Sequence, residues 1–279
     1  MAEVGQQNDA TELYLDLLKR MLTRYGFEPI NALDPIYATS TSRSNLAARL
    51  NRVLRPTGVQ FGLIPKASLA EREEGRDWPS DAETMIGLKR MQQLQDALDT
   101  IRREDIPGDV METGVWRGGA VIFMTAYLRV YGMPRTVFAA DSFEGLPPPD
   151  PRYPVDHGDK HHEYEVTRVS LEQVKANFAK YDIPTDHVVF IKGFFADTMP
   201  TAPVDNLALL RLDGDMYSST IEVLETMYPK VNPGGFVIVD DYFLTGARTA
   251  VHDYLELRGE HPHIHRIDAA GAYWRKESA

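Results

Sequence analysis

Along most of its length the chain alternates short apolar runs with longer stretches whose apolar residues recur every three or four positions. The runs are DVMET (109–113), TVFAA (136–140), VVFIK (188–192), LALLRL (207–212) and GFVIVD (235–240), and the periodic stretches are 118–131, 168–181, 217–229 and 245–258. Each run is too apolar to face water on one side. Strand-sized runs separated by helix-sized stretches predict right-handed βαβ units, hence a parallel sheet covered on both faces. The end of the chain changes character: HIHRID and AYWRK flank Ala269-Ala270-Gly271 and predict an antiparallel hairpin closing one sheet edge. The fold class predicted is α/β, Rossmann-like, with a mostly parallel seven-stranded sheet and helices on both faces.

The amino-terminal quarter does not share this alternation. Leu13, Leu17, Met21 and Tyr25 stand at four-residue spacing before Gly26, predicting an amphipathic helix over 10–25 with a glycine stop. Residues 28–77 hold Pro35, Pro56 and Pro65, the polar TSTSRSN and the charged EREEGRD around one short helical stretch near 45–54, which reads equally as a lid or as a surface and oligomer arm. Ser80 and Glu83 form an S-x-x-E capping box. With Met85, Leu88, Met91, Leu94, Leu98 and Ile101 they predict a long helix ending before Pro107-Gly108. The chain thus divides into an amino-terminal helical and lid or oligomerisation segment, 1–76, and a main domain, 77–279.

Composition narrows the function classes. With 279 residues, 43% of them apolar, the chain can bury a full core, and a net charge of −11 repels nucleic acid and anionic membrane surfaces. No cysteine is present, so disulfides and thiolate metal sites are excluded. No apolar run approaches the roughly 20 residues of a membrane span, and the first residues lack the basic and apolar regions of a signal peptide. A cytoplasmic protein is expected.

In open parallel sheets ligands bind beyond the carboxyl ends of the strands, so the residues following each run carry the candidate chemistry. The first end reads Glu112-Thr113-Gly114-Val115-Trp116-Arg117-Gly118-Gly119, with glycines for a tight turn and close backbone approach. A dinucleotide fingerprint would have glycine where this chain has Glu112. A carboxylate there repels a pyrophosphate and suits a cationic sulfonium and amino group, which favours S-adenosylmethionine over NAD. The second end supplies Asp141 and Ser142, with Asp141 an acceptor for ribose hydroxyls. The third supplies Gly193, Phe194, Phe195 and Asp197, aromatics to flank adenine and a carboxylate for its exocyclic amine. Taken singly, Asp141 as a turn carboxylate or Phe194 as core would serve as well.

The fourth and fifth ends, Asp213-Gly214-Asp215 and Asp240-Asp241, each offer paired aspartates one βαβ crossover apart. Side by side, their repulsion would be removed by a hard divalent cation, and an all-oxygen set suits Mg²⁺. Such an ion lowers the pKa of an alcohol and orients it, while a nearby carboxylate takes the proton. The plain alternative is that Asp213 and Asp240 cap the helices that follow. His161 and His162 lie in a polar, proline-rich loop that favours solvation over metal ligation, and His157 is retained as a candidate base or sugar-steering group. Tyr217 and Tyr242 either pack against substrate or simply open helices.

These pieces resemble the macrocin O-methyltransferase family, whose members methylate deoxysugar hydroxyls of antibiotics. The resemblance runs over 77–275 through Trp78-Pro79, Ile106-Pro107-Gly108-Asp109, the glycine-rich turn after Glu112, Asp141-Ser142-Phe143-Glu144-Gly145-Leu146-Pro147, Lys192-Gly193-Phe194-Phe195-Ala196-Asp197, Leu212-Asp213-Gly214-Asp215-Met216-Tyr217 and Asp240-Asp241-Tyr242. It implies a class I methyltransferase fold with Asp213, Asp240 and Asp241 as magnesium ligands, Asp213 also as base, and Glu112, Asp141 and Asp197 lining the cofactor. It further implies a small-molecule glycoside substrate chelated through vicinal oxygens, and a homo-oligomer with residues near 30–75 covering the site. Methylation of a catechol-like phenol, a catalytically silent S-adenosylmethionine-binding protein and a dehydrogenase remain as competing expectations.

Overall fold

The computed structural model describes residues 2–27, 31–32, 53–57, 62–63, 68–77, 79 and 81–277. The stretch near 45–54, most of the lid segment and Ser80 of the proposed capping box lie largely outside the described residues. Within the segment, β1 (Asn31–Ala32) pairs antiparallel with β2 (Gly62–Leu63), apart from the main sheet.

All five apolar runs become strands: β3 (Asp109–Thr113), β4 (Val137–Asp141), β5 (Val188–Lys192), β6 (Leu207–Leu212) and β7 (Val231–Val239). The predicted hairpin supplies β8 (His265–Arg266) and β9 (Ala272–Arg275). The sheet order is β5-β4-β3-β6-β7-β9-β8, parallel through β7 and antiparallel at β9 and β8. Because side chains alternate along a strand, neighbouring residues enter different cores. Val110 and Ile238 join the cluster formed with α1 (Ala2–Leu22), α3 (Leu88–Arg103), α4 (Gly119–Val130) and α5 (Leu171–Lys180). Met111 and Val237 join the opposite one, under α7 (Tyr217–Met227) and α8 (Thr245–Arg258). Two short helices, α2 (Leu69–Glu73) and α6 (Phe195–Thr198), sit at the rim.

Two helices depart from the sequence expectation. In α1 the core-facing residues are Leu15, Leu18 and Leu22, while Leu13 is 71% and Leu17 59% exposed. Both stripes are apolar, and spacing alone cannot choose between them. The long helix begins at Leu88 rather than near the S-x-x-E pattern, with Gly87 at its N-cap. Glu83 is buried outside it and accepts hydrogen bonds from the Tyr181 hydroxyl at 2.5 Å and Lys180 Nζ at 3.1 Å. Its carboxylate serves the end of α5, so it does not turn back to cap a helix.

The chain leaves β3 toward one edge through β4 and β5, then returns to β6 on the other side of β3. That reversal opens a crevice where the carboxyl ends of β3 and β6 adjoin. The two ends press together there: Asp213 N–H donates to the Thr113 carbonyl at 2.8 Å, and Gly114 has φ +86°. A Cβ at Gly114 would lie 1.6 Å from the Asp213 carbonyl oxygen. Replacing Gly114 by Ala is therefore expected to cost more than about 2 kcal/mol in chemical denaturation. A wild-type midpoint in that variant would contradict the contact.

Candidate active site

Glu112 on β3 and Arg211 on β6 are register partners, so their side chains leave the sheet on the same face and meet. Arg211 is buried and pairs at once with Glu112, with Asp213 at 2.9 Å and with one oxygen of Asp240. Arg90, reaching down from α3, takes the other oxygen of Asp240 and pairs with Asp268 at 2.9 Å. Asp268 belongs to the β8–β9 turn, where it also accepts from the N–H groups of Ala270 and Gly271, each at 2.8 Å. Across the crevice, Asp215 N–H donates to Asp241 at 3.1 Å.

Oxygens of Asp213, Asp240 and Asp241 lie within 4.8 Å of one another. At an effective dielectric of about 20, two like charges at that separation cost about 3 kcal/mol. Counting Glu112, Asp215 and Asp268, six carboxylates share two guanidinium groups, Arg90 and Arg211, among the described residues. The protonation equilibria register this deficit. Burial, reinforced by neighbouring carboxylates, raises Asp213 and Asp241 above the usual carboxylate range. Burial likewise pushes Glu112 up to about 8 despite Arg211, and Asp215 up to about 7. Glu112 Oε2 is buried without a hydrogen-bond partner among the described residues. Hard oxygen donors with uncompensated negative charge fit a divalent cation, and an orphaned buried carboxylate oxygen fits an ammonium group.

Arg90, Glu112, Asp213, Asp215, Asp240 and Asp241 line a cavity of about 690 Å³. Its wall includes Gly114, Trp116, Asp141, Ser142, Phe194 and Asp197, as the sequence predicted for a cofactor site. Asp141, however, spends its carboxylate on the backbone: Oδ2 accepts from Val115 and Trp116, Oδ1 from Phe143, so it pins the glycine-rich turn. Thr113, Gly118 and Gly193 are not on the wall. Thr113 is buried with its hydroxyl donating to the Arg211 carbonyl, and the two glycines occupy left-handed backbone at φ +90° and +142°. His157 is exposed and off the wall, because the turn Pro154–Asp156 buries Asp156 instead; His161 reaches the cavity. Neither Asp213 nor Asp240 caps a helix: Asp156 accepts from the first two N–H groups of α7, and α8 has no side-chain cap.

A family model described as macrocin O-methyltransferase matches residues 11–276. The chain belongs to the macrocin O-methyltransferase family. It is 43% identical over 275 residues, 97% of this chain and 95% of the relative, to the 8-demethyl-8-(2,3-dimethoxy-alpha-L-rhamnosyl)-tetracenomycin-C 4'-O-methyltransferase of Streptomyces olivaceus. It is 42% identical over 274 residues, 96% of this chain and 97% of the relative, to the mycinamicin III 3''-O-methyltransferase of Micromonospora griseorubida. Among solved structures, the O-methyltransferase NovP superposes with a TM-score of 0.79 at 37% identity, covering 96% of this chain and 100% of that one. As a macrocin O-methyltransferase family member, the protein is an S-adenosylmethionine-dependent O-methyltransferase. No helix among the described residues is long and apolar enough to cross a membrane.

Sequence reasoning missed Arg211, Arg90 and Asp156 in this methyltransferase. Arg211 had a signal, being the one charge inside the apolar run LALLRL. Arg90 and Asp156 had none, since their partners are far away in the chain.

Glu112 and Asp215 titrate above the ordinary 4.5 and 3.8, so the folded protein holds protons that the unfolded chain releases. Their stabilising contribution is complete below about pH 4 and is lost as pH rises through about 7 to 8. The melting temperature of the cation-free protein should fall between about pH 6 and 8.5, and added Mg²⁺ should reverse the fall. A melting temperature that rises over that window would contradict the charge deficit.

Proposed function

We propose that the enzyme methylates a sugar hydroxyl of a glycosylated natural product, with Mg²⁺ held by Asp213, Asp240 and Asp241. The observation that carries this is the meeting, in one cavity, of a buried Glu112 oxygen with no hydrogen-bond partner among the described residues and three mutually repelling aspartates, of which Asp213 and Asp240 share Arg211 with Glu112. Further support comes from relatives named for glycoside acceptors at about two-fifths identity over nearly the whole chain.

Glu112 would accept from the amino group of S-adenosylmethionine through its free oxygen, Asp141 pins the glycine-rich turn that would carry the cofactor, and Phe194, Phe195 and Asp197 would hold its adenine. When bound, the cation supplies positive charge that lowers the pKa of a neighbouring hydroxyl. Transfer of the methyl group to the acceptor oxygen breaks the carbon–sulfur bond and releases the hydroxyl proton, which a carboxylate at the end of β6 receives. Pairing with Arg211 makes Asp213, first expected in that role, the weaker acceptor. Asp215 lines the cavity without an ion-pair partner among the described residues and is the better one.

The same reading divides the chain into an amino-terminal segment, 1–76, and a methyltransferase domain, 77–279, with α1 of the first packed on the core of the second. The exposed Leu13 and Leu17 of α1 support association of two or more copies. Double substitution of Leu13 and Leu17 by Glu should lower the mass measured by analytical ultracentrifugation; an unchanged mass would remove α1 from the interface.

The function is tested with mycinamicin III, the dimethoxyrhamnosyl tetracenomycin and a catechol as acceptors. At least one glycoside should be methylated and the catechol should not. Excess EDTA, Asp213→Asn and Asp241→Asn should each reduce turnover at least about a hundredfold. Full activity in EDTA would sink the metal assignment, and turnover of catechol alone would sink the sugar assignment.

A further inference from the structure

The connection from β4 to α5 contributes a large share of the cavity wall, and two of its fastenings frame part of that share. On the cofactor side, Trp116 Nε1 donates to the Val166 carbonyl at 2.7 Å. On the other side Asp156, only 3% exposed, accepts from Tyr217 N–H at 2.8 Å through Oδ1 and from Ser218 N–H at 3.0 Å through Oδ2. Residue 217 begins α7 directly after Asp213-Gly214-Asp215-Met216. The helix has no side-chain cap of its own, so its first free N–H groups are satisfied by a carboxylate about 60 residues earlier in the chain. Tyr153 packs on Tyr217 at 5.0 Å between ring centroids, next to the same anchor.

Between the two fastenings hang His161 and Tyr164, both on the cavity wall, their rings edge to face at 5.4 Å. Asp159 holds His161 twice, through Nδ1 at 2.7 Å and through the backbone N–H at 2.8 Å. The space behind Asp156 is closed as well. A Cβ at Gly246, in the first turn of α8, would come within 2.9 Å of Asp156 Oδ1 and 2.8 Å of Tyr217 N. Glycine at 246 is what lets both helix starts and the carboxylate share that corner.

We propose that Asp156 is a positioning residue for the acceptor: it registers the β4–α5 connection against the Asp213–Asp215 turn and so delivers His161 and Tyr164 to the acceptor sugar. A local cap such as serine at residue 216 would satisfy α7 equally well but would leave the connection untied. The inference rests on the acceptor binding in this cavity, as proposed above.

The test uses the full chain with Asp156→Ala, Asp156→Asn and Gly246→Ala. Gly246→Ala adds a methyl group between Asp156 Oδ1 and the start of α7 and so prises that contact apart while leaving a good helix former in α8, which serves even if Asp156→Ala folds poorly. Hydrogen exchange at residues 157–165 should quicken at least about tenfold in the Ala variants, with the central strands unchanged. Affinity for S-adenosylhomocysteine, read by calorimetry, should stay within about twofold of wild type. With the best glycoside of the panel, KM should rise about tenfold and kcat change less, Asp156→Asn falling between because it keeps one acceptor oxygen. Adding His161→Ala or Tyr164→Ala to Asp156→Ala should raise KM no further. The proposal is overturned if exchange in 157–165 is unaltered, if product affinity falls as far as acceptor affinity, or if the double variants are additive. Exchange and product binding need no turnover, so a failed acceptor panel and a failed anchor are told apart.

Discussion

One arginine, closed off from water at the end of β6, stands between the carboxylate of β3 and the aspartates of β6 and β7. Exposed ion pairs contribute at most about 1 kcal/mol, and buried ones seldom return the cost of desolvating both partners. Arg211 is therefore not where the fold gains its stability. The two apolar layers on either face of the sheet supply that, and they carry a charge arrangement that two guanidinium groups leave short of balance. A cationic cofactor and, in the reading proposed above, a divalent ion are the kinds of ligand that would complete it.

The parallel core was legible because it obeys local rules. Strands buried on both faces must be apolar throughout, and the helices that cover them must be periodic, so DVMET and LALLRL matched their strands residue for residue; VVFIK did too, but as an edge strand with Val189 and Lys192 exposed, which its apolar run did not foretell. Strand order then placed the acidic ends together with no further information. What failed was any judgement needing a partner distant in the chain. The stripe of Leu13 and Leu17 and the stripe of Leu15, Leu18 and Leu22 look alike until α3 and α4 are set against one of them. Glu83 had the spacing of a capping residue, but Tyr181 and Lys180 claimed it.

The aspartates show the same division at finer grain. An aspartate just before a helix has two plausible duties, capping or ligation, and sequence offers no way to tell them apart. The structure separates them by providing the cap from elsewhere: with Asp156 on the N–H groups of α7, Asp213 and Asp215 are left to face the cavity. Asp141 shows the converse, a residue at a ligand-binding strand end whose oxygens are already committed to N–H groups of the turn it supports.

The cavity wall has two origins. Glu112, Asp213, Asp240 and Asp241 stand at strand ends locked by register and by Arg211, whereas Leu146, Tyr164, Phe243 and Ala270 stand on connections. The first group is coupled by sheet register and shared ion pairs, whereas the second is carried by connections that the register does not fix. Over evolutionary time such a molecule can exchange the molecules it accepts while keeping its reaction, and laboratory reshaping of its repertoire has the most freedom in those same connections.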